Sequence, residues 1–348
     1  TYGGTLTQID SKSHATSYYN QINYQHEINT YVTARLAFDA NFHAVDIAEA
    51  TTETGYRRTR HEGSLLSGIT VELNESFRSC VLARQNLTDG RLLPVIPSAG
   101  ITYIPFTNTG FQIKSNISRN YRTPTLNDLY WVPGGNPDLK PERGISSDLT
   151  VQYDKNYDYV RLRGKMTGFY ADITNWILWE PGEYRYWSPR NIQKVRTRGI
   201  EAGLELDGTI SSFQYKIKGN YSITHTTNLT PRENTNHSYG KQLILIPKNR
   251  FYSFVNIQKD KYFLHYDVHY TGKRYTSSDN STYHSKPLPP YSVHNLSLGS
   301  EFDLLSMALL FKFNLKNVFD VNYQVLPWRP MPGRHFSFSL RVRYSKPM

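Results

Sequence analysis

Apolar and polar residues alternate with period two through most of the chain. In the last such run, RHFSFSLRVRY, Phe336, Phe338, Leu340, Val342 and Tyr344 fall on one face, and Ser337, Ser339, Arg341 and Arg343 on the other. In SFQYKIKGNYSIT, Phe213, Tyr215, Ile217, Tyr221 and Ile223 alternate with Gln214, Lys216, Lys218, Asn220 and Ser222. YFLHYDVHY sets Tyr262, Leu264, Tyr266, Val268 and Tyr270 against His265, Asp267 and His269. LLSMALLFKFNLK sets Leu305, Met307, Leu309, Phe311, Phe313 and Leu315 against Ser306, Lys312, Asn314 and Lys316. Period two predicts strands with one apolar and one polar, often charged, face.

A soluble β-sandwich has such strands too. Three features favour a transmembrane barrel instead. Many runs reach about 10 residues, the length a tilted membrane crossing needs. Tyr and Phe gather towards strand ends, as in interfacial girdles. Connections interleave short and long. Short turns fall near Asn29–Thr30, Asn74–Glu75, Asn108–Gly110, Lys155–Asp158, Asp207–Thr209, Lys259–Lys261 and Asp303. Long ones fall at Asp46–Glu62, Leu87–Pro97, Arg122–Arg143, Ile177–Ser188, Thr227–Leu243, Thr276–Pro289 and Asn317–Gly333. Outer-membrane barrels sort loop length by end in this way, and a sandwich has no reason to. About fifteen strands result, and a partial strand near Thr1–Ile9 makes about sixteen. The expected fold is therefore all-β, a transmembrane antiparallel barrel. The longest apolar run, Leu304–Phe311, falls far short of the roughly 20 residues of a transmembrane helix.

Composition agrees with this picture. Hydrophobic residues make up 38% of the 348, while aromatics reach 14%, with 27 Tyr. Rings that are apolar in body and polar at the tip suit a surface that passes from lipid to water. The net charge of +11 comes without a Lys/Arg block or a nucleic-acid module, so the partners it implies are anionic lipid or an anionic ligand and not nucleic acid. A single cysteine, Cys80, excludes an intramolecular disulfide and reads as an apolar strand residue. No signal peptide pattern is visible at the start.

One long connection carries a signature. Asn120–Glu142 reads NYRTPTLNDLYWVPGGNPDLKPE. TPTLNDLY predicts a short helical turn with Thr123 as its cap ahead of Pro124. This stretch resembles the signature loop of TonB-dependent outer-membrane receptors. Tyr121, Arg122, Thr123 and Pro124 match its first half, and Asn136, Pro137, Leu139, Pro141 and Glu142 its second. RTRGIEAGLEL (Arg196–Leu206) and the closing stretch Asn314–Tyr344 resemble the same family, and the likeness runs from about Tyr18 to the end. NWILWEPGEYRYWSPRNIQKVRTRGIE, with PWRPMPGR, is similar to cobalamin-receptor-like members from Bacteroidetes. The family pattern is an N-terminal plug inside a barrel of about 22 strands. The resemblance therefore implies that residues 1–348 are the C-terminal portion of the barrel, with the plug and first strands outside this chain.

The resemblance further implies uptake of a scarce bulky nutrient with energy from the TonB complex in the periplasm. A corrinoid such as cobalamin is the first candidate and a siderophore the second. Haem ranks lower, because no His lies between Tyr121 and Asn136. A passive sixteen-stranded porin is a further alternative. Outer-membrane lipid, lipopolysaccharide and a surface lipoprotein are the other implied partners.

Seven aromatics on the long-loop side are the candidate ligand contacts: Tyr130, Trp131, Trp176, Trp179, Tyr184, Tyr186 and Trp187. Rings bury large area at low entropy cost, which suits a bulky amphipathic ligand. Trp176, read as a strand end, also fits a membrane girdle. Inward cations (Arg161, Arg163, Lys165, Lys216, Lys218, Lys312, Arg341 and Arg343) read as wall charges paired with acids such as Asp148, Glu201 and Glu205. His265, Asp267 and His269 read as a hydrated wall. Asp128, Asp138 and Glu142 carry oxygens suited to Ca²⁺, but in a spacing that matches no calcium loop. No metal site, cofactor or catalytic constellation is proposed. The best enzymatic alternative, an outer-membrane hydrolase, requires a Ser-His pair that the sequence does not single out.

Overall fold

The computed structural model describes residues 11–49, 54–181, 186–230, 237–283, 285–304 and 306–344. The partial strand expected near Thr1–Ile9, along with Tyr184 and Leu305, lies outside the described residues. The chain is almost wholly β. The strands are β1 (Ser11–Asn29), β2 (Val32–Glu49), β3 (Thr54–Asn74), β4 (Phe77–Thr88), β5 (Arg91–Leu92), β6 (Ile96–Tyr103), β7 (Phe111–Arg122), β8 (Glu142–Asn156) and β9 (Val160–Pro181). They continue as β10 (Trp187–Ile210), β11 (Phe213–Asn228), β12 (Asn249–Lys259), β13 (Tyr262–Thr271), β14 (Tyr291–Leu304), β15 (Met307–Lys316), β16 (Gln324–Leu326), β17 (Arg329–Pro330) and β18 (His335–Tyr344). One helical turn, α1 (Leu126–Tyr130), sits between β7 and β8.

Apart from the short β5 and the β16–β17 hairpin, neighbours in the sheet are neighbours in the chain. The residues divide into two compact units. The first holds Thr1–Tyr103, Ser115–Ser147 and Ala171–Val195, and the second Ile104–Lys114, Asp148–Tyr170 and Arg196–Met348.

In the first unit β1, β2, β3, β4 and β6 pair in antiparallel order. Ile22 faces Phe38, Phe38 faces Leu65, and Ile69 faces Val81, so the apolar residues form continuous rows across one face. In the second unit β11 to β15 and β18 pair likewise. The register Leu315–Phe336, Phe313–Phe338 and Phe311–Leu340 puts the expected apolar faces of β15 and β18 together. The rings of Phe313 and Phe336 stack at 6.3 Å.

These apolar rows are not covered by protein. Phe38 is 50% exposed, Ile69 51% and Phe338 66%. Among the described residues only nine hydrophobics are buried. A sandwich would bury one face of each strand in a shared core. Here the apolar face has no protein across from it, and its solvent is lipid. No described helix is long and apolar enough to cross a membrane.

Three expectations need correction. The connections read at Asp46–Glu62 and Ile177–Ser188 are mostly strand, since β2 runs to Glu49, β3 starts at Thr54, β9 runs to Pro181 and β10 starts at Trp187. The β3 extension is largely polar on both faces, and in β9 Ile177, Leu178 and Trp179 are apolar in succession, so neither shows a clean alternation. Trp176 consequently lies within β9 and does not end it. The turn read at Asp207–Thr209 also belongs to a strand. β10 continues to Ile210, and Ser211 takes the left-handed conformation (φ 54°) of the turn.

Candidate functional site

The signature loop is built around two carboxylates, both in the first unit. Asp128 is 6% exposed. Its Oδ2 accepts from the Thr125 amide (2.9 Å), and the Thr125 hydroxyl accepts from the Asp128 amide (3.0 Å), a reciprocal capping box that starts α1. The cap is therefore Thr125 and not the expected Thr123. A cap must lie three residues before its acid partner, and only Thr125 does. The other oxygen, Oδ1, accepts the indole N–H of Trp179 at 2.8 Å, tying α1 to β9.

Glu142, at the start of β8, is the second carboxylate. Arg122 donates to it through Nε (2.8 Å) and Nη2 (2.7 Å), a bidentate fork that closes the two ends of the loop. Glu142 Oε1 also accepts the Ile177 amide at 2.8 Å. Arg122 Nη1 lies 3.8 Å from Asp128, so one guanidinium serves both acids. Two of the three carboxylates considered as calcium ligands, Asp128 and Glu142, are thus occupied in holding the loop.

The second half of the loop is stitched to β10. Asn136 caps a turn by accepting from the Asp138 amide (3.0 Å) and donates to the Pro189 carbonyl (3.2 Å). Leu139 is buried, while Pro137 is exposed and Pro141 is half-buried. Asn191 accepts from the Lys140 amide and donates to the Lys140 and Asn175 carbonyls. Asn175 holds a left-handed φ of 55° inside β9, a conformation that asparagine tolerates, and its side chain donates to Pro141.

The first half leans on β3. Tyr56 donates its hydroxyl to Asn127, the Arg58 guanidinium sits 4.7 Å over the Tyr130 ring, and Arg60 donates to the Pro124 carbonyl at 2.8 Å. Sequence reasoning missed Tyr56, Arg58, Arg60, Asn175 and Asn191. The three on β3 follow one another at period two, which marks one face but does not reveal what that face meets.

The aromatic candidates fall as follows. Tyr130 ends α1, with the Tyr56 ring at 6.2 Å. Trp131 follows it, 39% exposed, its carbonyl accepting the Gly135 amide. Trp179 is on β9, its N–H committed to Asp128. Tyr186 and Trp187 lie at the head of β10 against Gly134. The indole N–H of Trp176 is buried with no partner among the described residues. The described candidates all belong to one unit.

Gly134 fixes the turn between these groups. Its φ is +123°, and a Cβ there would stand 2.2 Å from the Trp187 carbonyl oxygen. Gly134→Ala is expected to cost about 2 kcal/mol, since backbone of this kind is open to glycine alone. A lower thermal midpoint, together with new protease sensitivity in residues 123–141, is the readout. An unchanged midpoint would show that the turn can relax.

In the second unit part of the wall charge is paired. Arg163 reaches Glu205 (2.6 Å) and Asp207 (3.0 Å), and Lys216 reaches the same two acids from the other side at 2.6 and 3.0 Å. Arg161 pairs with Asp154 at 2.8 Å. Lys165, Lys312, Arg341 and Arg343 make no ion pair with the described residues. On β13, His265 and His269 flank Asp267 at 3.4 and 3.1 Å, and Asn295 donates to the same carboxylate at 2.6 Å.

A family model described as TonB dependent receptor-like, beta-barrel matches residues 1–318. The chain belongs to the TonB-dependent receptor β-barrel family. These receptors are outer-membrane β-barrel proteins, not enzymes. The vitamin B12 transporter BtuB of Vibrio vulnificus (strain YJ016) is 25% identical over 233 residues, which is 67% of this chain and 32% of that protein. Among solved structures, the copper transporter OprC superposes with a TM-score of 0.70 at 14% identity, covering 97% of this chain and 57% of that one. The ferric enterobactin receptor PfeA of Pseudomonas aeruginosa gives 0.69 at 18%, covering 95% and 54%. The TonB-dependent receptor likeness thus extends over nearly all of this chain, while the chain spans only part of each relative.

Proposed function

We propose that residues 1–348 are the C-terminal portion of the barrel of a receptor that imports cobalamin or another corrinoid, with energy delivered by the TonB complex. The observation that carries the substrate is the likeness to vitamin B12 transporters over two thirds of the chain. The aromatic groups arranged around the stapled loop support it. They offer flat apolar surface with polar edges to a large amphipathic ligand. The plug, the remaining strands and the coupling segment belong to the longer receptor. A ferric siderophore is the second reading, favoured by the structural likeness to the enterobactin receptor.

The test is titration of the intact receptor, purified in detergent, with cyanocobalamin and with ferric enterobactin. Saturable binding of the corrinoid alone is the expected result, and binding of the siderophore alone would overturn the reading. In the same assay Trp131→Ala and Trp187→Ala should each weaken corrinoid binding by about 1–3 kcal/mol, the range for an interface hot spot. Unchanged affinity in both would assign these rings to loop packing.

A further inference from the structure

The connection between β15 and β18 holds an element that neither the signature loop nor the wall charges explain. β16 and β17 form a small hairpin, with Trp328 at its turn. Trp328 has a left-handed φ of 64° and is 92% exposed. Glycine and asparagine are the usual occupants of such turn positions, and a bulky ring there is strained. The largest apolar side chain of the hairpin is thus held out from the described residues by an unfavourable backbone. Val325, Leu326 and Met331 beside it are also exposed.

The hairpin is held rigidly. Arg274, only 3% exposed, donates Nη1 to the Val325 carbonyl and Nη2 to the Gln324 carbonyl, both at 2.9 Å. Its guanidinium lies 5.1 Å over the Tyr291 ring, and Tyr323 at the root of the hairpin packs on the same ring at 4.6 Å. No carboxylate pairs with Arg274 among the described residues, and its Nε is buried without a partner. Burial pulls its pKa below the ordinary guanidinium value. A desolvated, unneutralised cation is a costly way to stabilise a fold. The root also has a direction. By period two, Tyr291 shares a face with Asn295 and Ser297, the polar face that β13 lines with His265 and Asp267. The hairpin therefore rises from the polar side of β14, not from its lipid-facing side.

We infer that Trp328 is a ligand-contact residue and Arg274 its positioning residue, the hairpin presenting the indole to a flat apolar face of the imported molecule. Arg329, next in the chain and exposed, suits an acceptor group on the same molecule. The inference deepens the reading above and rests on it for the identity of the ligand.

The experiment uses the intact receptor with cyanocobalamin, ferric enterobactin and haemin as probes. Trp328→Ala is expected to weaken the bound probe about tenfold or more, as truncated aromatic anchors do. Arg274→Gln should weaken it comparably, and the double variant should add little, because both act through one contact. A purely structural Arg274 would instead give additive losses. If cyanocobalamin binds and Trp328→Ala changes nothing, the contact is overturned and the corrinoid reading survives. If only another probe binds, and does so through Trp328, the contact stands and the corrinoid reading falls. A receptor that binds none of the three overturns both. In nanodiscs containing brominated lipid, Trp328 fluorescence, taken as wild type minus Trp328→Phe, should be unquenched. Strong quenching would place the ring in the membrane interface and overturn the inference.

Discussion

Asp128→Ala is expected to release the signature loop. The substitution removes the capping box, worth about 1 kcal/mol, and leaves the Trp179 indole N–H buried without an acceptor, a further loss of roughly 1–3 kcal/mol. A total near 3 kcal/mol should appear as a lower midpoint of heat unfolding and as cleavage within residues 123–141. Asp128→Asn keeps an oxygen for one of the two donors and should lose less than half as much. Equal stability of wild type and Asp128→Ala would mean that the loop is held by β3, β10 and the Arg122–Glu142 fork without Asp128.

The second large effect is at the fork. The Glu142 side chain is 12% exposed and the Arg122 side chain 47%. Arg122→Ala leaves a covered carboxylate with one backbone donor, and breaking a covered pair from one side costs about 3 kcal/mol. Because Arg122 is half open to water, roughly 2–3 kcal/mol is expected here, discounted for screening. Glu142→Gln removes the charge but keeps an acceptor and should cost less. The double variant should recover part of the Arg122→Ala loss, since the stranded charge is gone. Strict additivity across this cycle would show that the fork contributes no coupling.

The strands of the second unit were legible because the environment acts on every second residue. β11, β13, β15 and β18 each meet lipid on one side and a polar interior on the other, so their register follows from the residue types. The upper ends of β2, β3, β9 and β10 were hidden for the converse reason. There the alternation fails: Arg57–Glu62 of β3 is polar on both faces, and Ile177–Trp179 of β9 is apolar on both. At the loop, the fork between Arg122 and Glu142 could be suspected from the motif, yet its anchors could not. Tyr56, Arg58 and Arg60 lie more than sixty positions before the groups they hold, and nothing in their own spacing points to a partner. The Thr125 cap could have been read, because Thr125 and Asp128 stand at capping-box spacing; Pro124 drew attention one step too early.

The lattice of Arg163, Glu205, Asp207 and Lys216 has a consequence for how the sheet is assembled. Its members come from β9, β10 and β11, with the acids on the middle strand bridged from both sides. Sliding β10 by one residue would turn Glu205 and Asp207 to the lipid side and strand two cations on the inside. A slip of two would keep the faces but set one acid in the place of the other, leaving each cation one acid where the native register gives it two. In a wall whose apolar side would tolerate many alignments, these charges act as a spelling check on strand order. They favour the one alignment in which both acids are bridged from both sides.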